Sequence, residues 1–243
     1  MSDSPVLYEK LPGGIAWITL NRPAVLNAIN MEARDLLWSF MLAVRDDPEV
    51  RVAVFQGAGD RAFSAGADVS EFGTAPSYVD ARRARQQRDV WGMMLQVTKP
   101  LVAAIHGFAY GAGCEASLLC DIRIASEDAT FALPEVTLGY IPSAGGTQTL
   151  PRTVPPGLAR EMIYSGGPIT AGRALAAGLV HRVVPRARLH DEAEAVARVL
   201  ASMPEAAVRG AKEALLRGEG LPLEAALSIE RTIAARITSG AAR

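Results

Sequence analysis

Neither sign of charge is in excess. The chain carries 25 lysines and arginines against 26 aspartates and glutamates, a formal net charge of -1. Nucleic-acid-binding domains show a basic surplus, so that class is excluded, and nothing favours attraction to an acidic membrane surface. Cysteine is scarce: Cys114 and Cys120 lie in an apolar segment and read as small buried hydrophobes in a reducing compartment. No stretch approaches the roughly 18 uninterrupted apolar residues of a membrane span. The opening, MSDSPVLYEK, lacks the basic start and apolar run of a signal peptide. His106, His181 and His190 form no metal-ligand spacing, and there is no GxSxG elbow, P-loop or low-complexity tract. What remains is ordinary globular composition, 49% hydrophobic and 21% charged over 243 residues. The expectation is a soluble cytoplasmic protein with no metal, nucleic-acid or membrane partner.

Periodicity organises the chain. Val6 to Leu11, a Pro12-Gly13-Gly14 turn and Ile15 to Leu20 read as a hairpin, ended by Pro23. Met31 to Arg45 places Leu36, Leu37, Phe40, Met41 and Val44 at helical spacing, with Asn30 as N-cap. Val50 to Gln56, Leu101 to Ile105 and Ile122 to Ser126 read as strands, and Tyr78 to Val97 as a helix with an arginine-rich outer face. After Gly145 the pattern is helical (158–164, 171–176, 189–203, 205–217 and 223–237), interrupted by a strand over Val180 to Val184. This predicts an α/β core over residues 1–185 followed by a helical region, 186–243. Amphipathic helices with too little core to cover them predict packing against another subunit.

Three loops carry the chemistry: Phe63 to Asp68, His106 to Glu115, and Leu133 to Gly146. Small residues there let backbone N–H groups approach a ligand, and a strand-to-helix turn leaves its first N–H groups unpaired. Two such groups from different loops can bind one developing oxyanion, each typically worth on the order of 3 kcal/mol of barrier. Taken singly, each glycine also fits an ordinary turn. Glu115 and Glu135 sit in otherwise apolar segments, where carboxylates are costly unless paired or protonated. Desolvation and mutual repulsion raise one pKa, giving an acid beside a base suited to proton transfer next to a carbonyl. The residues alone equally allow Glu115 as a helix N-terminal acid and Glu135 as a turn cap. Asp68 and Asp121 read as turn and helix-end residues.

Gly111-Ala112-Gly113-Cys114-Glu115-Ala116 also matches GxGxxA, with Glu127 after the next strand. Cys114 to Asp121 is too short for the crossover of a dinucleotide-binding unit, which usually takes about a dozen residues or more, and the acid arrives too early.

Together, Phe63-Ser64-Ala65-Gly66-Ala67-Asp68, the Gly107-to-Asp121 block, and Phe131 to Gly146 with the following Thr147-Gln148 resemble the enoyl-CoA hydratase/isomerase (crotonase) family. The resemblance implies a crotonase-like spiral of β-β-α units with a C-terminal helical region, assembled as homotrimers or dimers of trimers. It implies an acyl-CoA substrate whose thioester oxygen is held by the backbone N–H groups of Ala67 and Ala112, the latter where the family often has glycine. It also implies coenzyme A contacts around Ala28, Ala65, Gly66 and Asp68. Lysines usual near the coenzyme phosphates are replaced by Val25, Leu26, Val69 and Ser70, leaving Arg22 and Arg61 as substitutes. The family's hydratases carry glutamates at both positions matched by Glu115 and Glu135. Retention of both implies hydration of a 2-enoyl-CoA to a 3-hydroxyacyl-CoA. Glu115 then activates water and Glu135 protonates C2, with no cofactor beyond the substrate's own coenzyme A. Isomerisation through Glu135 and a non-catalytic acyl-CoA-binding role are the alternatives.

Overall fold

The computed structural model describes residues 4–74, 77, 79 and 87–241. Most of the helix expected over residues 78–97 lies outside the described residues; its end is α2, Val90–Gln96, capped by the Asp89 carboxylate accepting from Gly92 N–H. Five longer strands and one short one form a six-stranded sheet: β1 (Val6–Leu11), β2 (Ile15–Leu20), β3 (Val52–Gly57), β5 (Leu101–Ile105), β7 (Ile122–Ser126) and the three-residue β10 (Arg182–Val184), in that spatial order. The β1–β2 hairpin is antiparallel and every other pairing is parallel. A second sheet joins β4 (Ala62–Ser64), β6 (Phe108–Tyr110), β8 (Thr130–Ala132) and β9 (Ile169–Thr170), parallel except for β8–β9. Consecutive strands β3–β4, β5–β6 and β7–β8 each contribute one member to either sheet. The chain thus winds as a spiral of β-β-α turns.

Both faces of the large sheet are covered, which explains the nearly unbroken apolar runs of its strands. Ala16, Ile18, Phe55, Ala103 and Ile105 face the main core, with Leu37, Met41 and Val44 of α1 (Met31–Asp46) and Met94 of α2. The alternate residues Ile15, Trp17, Val54, Val102 and Ile124 face Leu189, Ala193, Val196, Ala197 and Ala201 of α7 (Leu189–Ser202). Asn30 caps α1 as expected, accepting from Ala33 N–H at 2.9 Å. Earlier in the chain than α7 come α3 (Ala112–Leu118), α4 (Gly146–Thr153), α5 (Pro156–Ser165) and α6 (Ala171–Ala176). Cys114 and Cys120 are free and buried.

Two departures from the sequence reading have simple causes. The second sheet's strands, at two or three residues each, are too short to show a period-two pattern. The helical region is also divided differently, since α7 roofs the large sheet and only α8 (Glu205–Gly218) and α9 (Leu223–Ala241) extend beyond it. These two pack on each other so closely that a Cβ on Gly210 would lie 2.3 Å from Ile237 Cδ1. A buried cation ties α8 to the core: Lys212 Nζ donates to Lys99 O at 3.0 Å and to Asp121 Oδ2 at 2.7 Å. That same carboxylate oxygen accepts from Leu101 N–H. Lys212→Ala is therefore expected to lower unfolding free energy by about 1–3 kcal/mol through the unpaired Asp121 and Lys99 groups. Urea denaturation checks this; an unchanged midpoint would mean that apolar packing alone holds α8.

Candidate active site

The chain leaves β4 at Ser64 and is caught by the segment before α1. Ala65 N–H donates to Leu26 O at 2.9 Å, Ile29 N–H to Gly66 O at 2.7 Å, and Asp68 N–H to Ile29 O at 3.1 Å. The last two form a parallel bridge in which Ile29 supplies both bonding groups across Ala67. Because the Gly66–Ala67 peptide is planar and trans, a carbonyl turned to Ile29 sends the Ala67 N–H the opposite way. Gly66 (φ +98°) meanwhile lies against the entry to α3: a Cβ there would sit 2.8 Å from Tyr110 O and 3.1 Å from Ala112 N. Ala112 is the first residue of α3, so its N–H has no intrahelical acceptor. The two loops expected to supply N–H donors thus meet backbone against backbone.

Glu115 lies in the first turn of α3 and is 2% exposed. Its Oε1 accepts from Ala144 N–H at 2.9 Å and Gly146 N–H at 2.8 Å. Burial pushes its carboxyl up to about 7; Glu135 adds to the rise and the two N–H donors restrain it. Glu135 stands in the 3-10 turn Pro134–Leu138, with Oε1 3.0 Å from where a Cβ on Gly111 would be. Its carboxyl is also raised by burial, and Oε2 is enclosed without a hydrogen-bond partner among the described residues. Glu115 is held by two N–H donors from another loop that favour its charged form, whereas Glu135 has only its own backbone N–H to do so. The Glu135 charge adds to the rise at Glu115, so the two carboxyls resist ionising together.

The remaining expected residues divide. Arg22 Nη1 donates to Ala28 O at 2.7 Å and pairs with Asp68 Oδ2 at 2.8 Å. Asp68 also caps the following turn through Ser70, and Ser70 and Arg22 hold its carboxyl below the usual range. Arg22, Ala28, Ala65, Gly66 and Asp68 therefore form one neighbourhood, with the Arg22 charge already engaged. Arg61 is exposed and precedes β4, at the far end of that strand from Ala65. Apolar side chains flank the glutamate loop: Phe72 and Tyr140 make an edge-to-face contact at 5.3 Å. Sequence reasoning flagged Ala144 and Gly146 only as loop residues and missed them as donors to Glu115. It also passed over Asn27, whose amide binds Arg22 N–H, Ala58 O and Ala62 O. Its only signal was an asparagine before a small residue in a turn, which asparagine's tolerance of left-handed backbone suits.

Comparison with known proteins gives the same direction. The sequence pattern described as enoyl-CoA hydratase/isomerase matches residues 10–243. A short-chain-enoyl-CoA hydratase of Clostridium acetobutylicum is 38% identical over 225 residues, covering 93% of this chain and 86% of that protein. A 2,3-dehydroadipyl-CoA hydratase of Escherichia coli is 41% identical over 216 residues, covering 89% and 84%. The crystal structure of an enoyl-CoA hydratase from Bacillus anthracis superposes with a TM-score of 0.90 at 37% identity, covering 95% of this chain and 90% of that one. With sequence and fold alike matched almost end to end, the chain belongs to the enoyl-CoA hydratase/isomerase family.

Proposed function

We propose that this protein is an enoyl-CoA hydratase, adding water across the 2,3-double bond of a 2-enoyl-CoA thioester. The carrying observation is the unequal pair of carboxyls: Glu115 buried and held by two backbone N–H groups, Glu135 half-buried with Oε2 enclosed and without a donor. On this reading the thioester oxygen lies at the N–H groups of Ala67 and Ala112. Glu115 removes a proton from water as its oxygen bonds to C3, and the double-bond electrons move to an enolate oxygen stabilised by those donors. Glu135 then protonates C2. Glu115 ends protonated and Glu135 ionised, and exchange with solvent resets them. Proton transfer and charge stabilisation are both supplied by the chain, so the reading calls for no cofactor besides the coenzyme A carried by the substrate.

The Ala28–Asp68 neighbourhood is proposed as the wall that meets the coenzyme. Exposed Leu215 and Leu223, 75% and 74% accessible on α8 and α9, favour a homotrimeric or dimer-of-trimers assembly that covers them. A cytoplasmic location completes the proposal.

Glu115→Gln and Glu135→Gln are each expected to slow hydration of crotonyl-CoA by about 100- to 10,000-fold while leaving the far-ultraviolet spectrum unchanged. Loss of the enoyl absorbance measures it. Near-wild-type turnover by either variant would remove the two-carboxyl mechanism, and conversion of a 3-enoyl-CoA without hydration would favour the isomerase reading.

The pH behaviour has a defined sign. Glu115 must be ionised to act as base, so kcat/KM is expected to fall on acidification through about 7 and to fall again at higher pH as Glu135, the acid, loses its proton. Stability runs the other way. A carboxyl raised in the folded state contributes stability that is fully present below its unfolded value and lost as pH rises through about 7. Glu115→Gln should thus be more stable than wild type at pH ~8, on the order of 2 kcal/mol. Equal melting temperatures across this range would contradict a raised Glu115.

A further inference from the structure

Ser64 is fully buried at the end of β4, where a hydroxyl is costly unless bonded. It is bonded twice: Oγ donates to Asn27 O at 2.8 Å and accepts from Gly66 N–H at 3.1 Å. The Asn27 carbonyl is a fixed anchor. Asn27 is 1% exposed with φ +56°, held by Arg22 N–H on Oδ1 and by Ala58 O and Ala62 O on Nδ2. Gly66 N–H lies one peptide before the Ala67 N–H, and the next peptide is secured by Ile29 on Gly66 O. On its other side Ser64 bears the first turn of α3: a Cβ on Gly113 would lie 2.5 Å from Ser64 O and 2.7 Å from Ser64 Cβ. One side chain therefore touches the anchor, the peptide leading to Ala67 and the turn that opens with Ala112.

We infer that Ser64 is a positioning residue for hydration, its hydroxyl acting with the Ile29 bridge to fix the direction of the Ala67 N–H relative to that of Ala112. The inference rests on the proposed oxyanion role of these two groups. With Ser64→Ala, Gly66 N–H loses its acceptor and the Ala65–Gly66 peptide is freed at a glycine that has no side chain to restrain it. The next peptide, which carries the Ala67 N–H, is then left with Ile29 alone to hold its tilt. Hydrogen bonds weaken steeply as the donor angle departs from linear, so a modest tilt acts on the enolate without removing any group that touches substrate.

The test is the spectrum of a bound cinnamoyl-CoA, whose conjugated carbonyl absorbs further to the red as its oxygen is hydrogen-bonded more strongly. It is measured with wild type, Ser64→Ala and Ser64→Cys, alongside turnover of crotonyl-CoA. The red shift per bound ligand is expected to fall in the order Ser, Cys, Ala. For Ser64→Ala, kcat should drop about five- to tenfold, with KM moving less than about twofold. A merely structural serine would lower the yield of folded protein and its melting temperature while leaving the shift per bound ligand and the kcat of folded protein unchanged. That result overturns the inference. Should Ser64→Ala not fold, Ser64→Cys decides on the same readouts, a wild-type shift overturning it. Wild type that binds the ligand with neither red shift nor hydration would instead defeat the proposed function, a separate outcome.

Discussion

The parallel pairing of β4, β6 and β8 governs the site because it brings three chain ends to one edge of the small sheet. Ser64 pairs with Ala109, and Tyr110 with Ala132, so the segments after these strands emerge side by side. Those segments carry Ala67, then Ala112 and Glu115, then Glu135. Ligand sites of open parallel sheets lie beyond the carboxyl ends of the strands for this reason. Three-residue strands cannot specify such a register alone. Each is tethered to a longer strand of the large sheet, whose order β3-β5-β7 is repeated as β4-β6-β8.

Burial on both faces stabilises the large sheet and makes its register hard to shift, since a one-residue slip would exchange the residues facing α1 with those facing α7. The small sheet inherits that rigidity. Close backbone approach then becomes possible at its edge: Gly66 against Tyr110 and Ala112, Gly111 against Glu135. At Gly66 a side chain would push apart loops that the sheet has brought together, and at Gly111 it would displace the Glu135 carboxyl.

The legible parts of this arrangement were those with long periods or conspicuous chemistry. Val6–Leu11, Ile15–Leu20 and Leu101–Ile105 appear where their apolar runs place them, and Met31–Asp46 where its helical spacing and Asn30 cap do. Glu115 and Glu135 stood out as carboxylates among apolar neighbours. The short strands did not, because two or three residues display no period. Nor did the donors at Ala144 and Gly146, since every residue but proline has a backbone N–H and only the fold selects which ones are used. Arg22 shows the converse limit. Its charge drew attention as a phosphate contact, while the fold commits it to Asp68 and Ala28 O. Charge is visible in a sequence; engagement is not.

The unequal treatment of the two glutamates bears on which reaction the site serves. Glu115 is enclosed at 2% exposure in a helix otherwise built of small and apolar side chains. A neutral residue there would relieve both the desolvation and the repulsion from Glu135. A shuttle that moves one proton between carbons needs a single mobile carboxyl, for which Glu135 suffices. Under that chemistry a charged Glu115, with two N–H groups directed at it, would be a standing cost with no return. Hydration needs two groups at once, one to take a proton from water and one to give a proton to carbon. Proteins keep destabilising buried charges chiefly where activity requires them. The strain of Glu115 is thus better accounted for by adding water than by shifting a double bond.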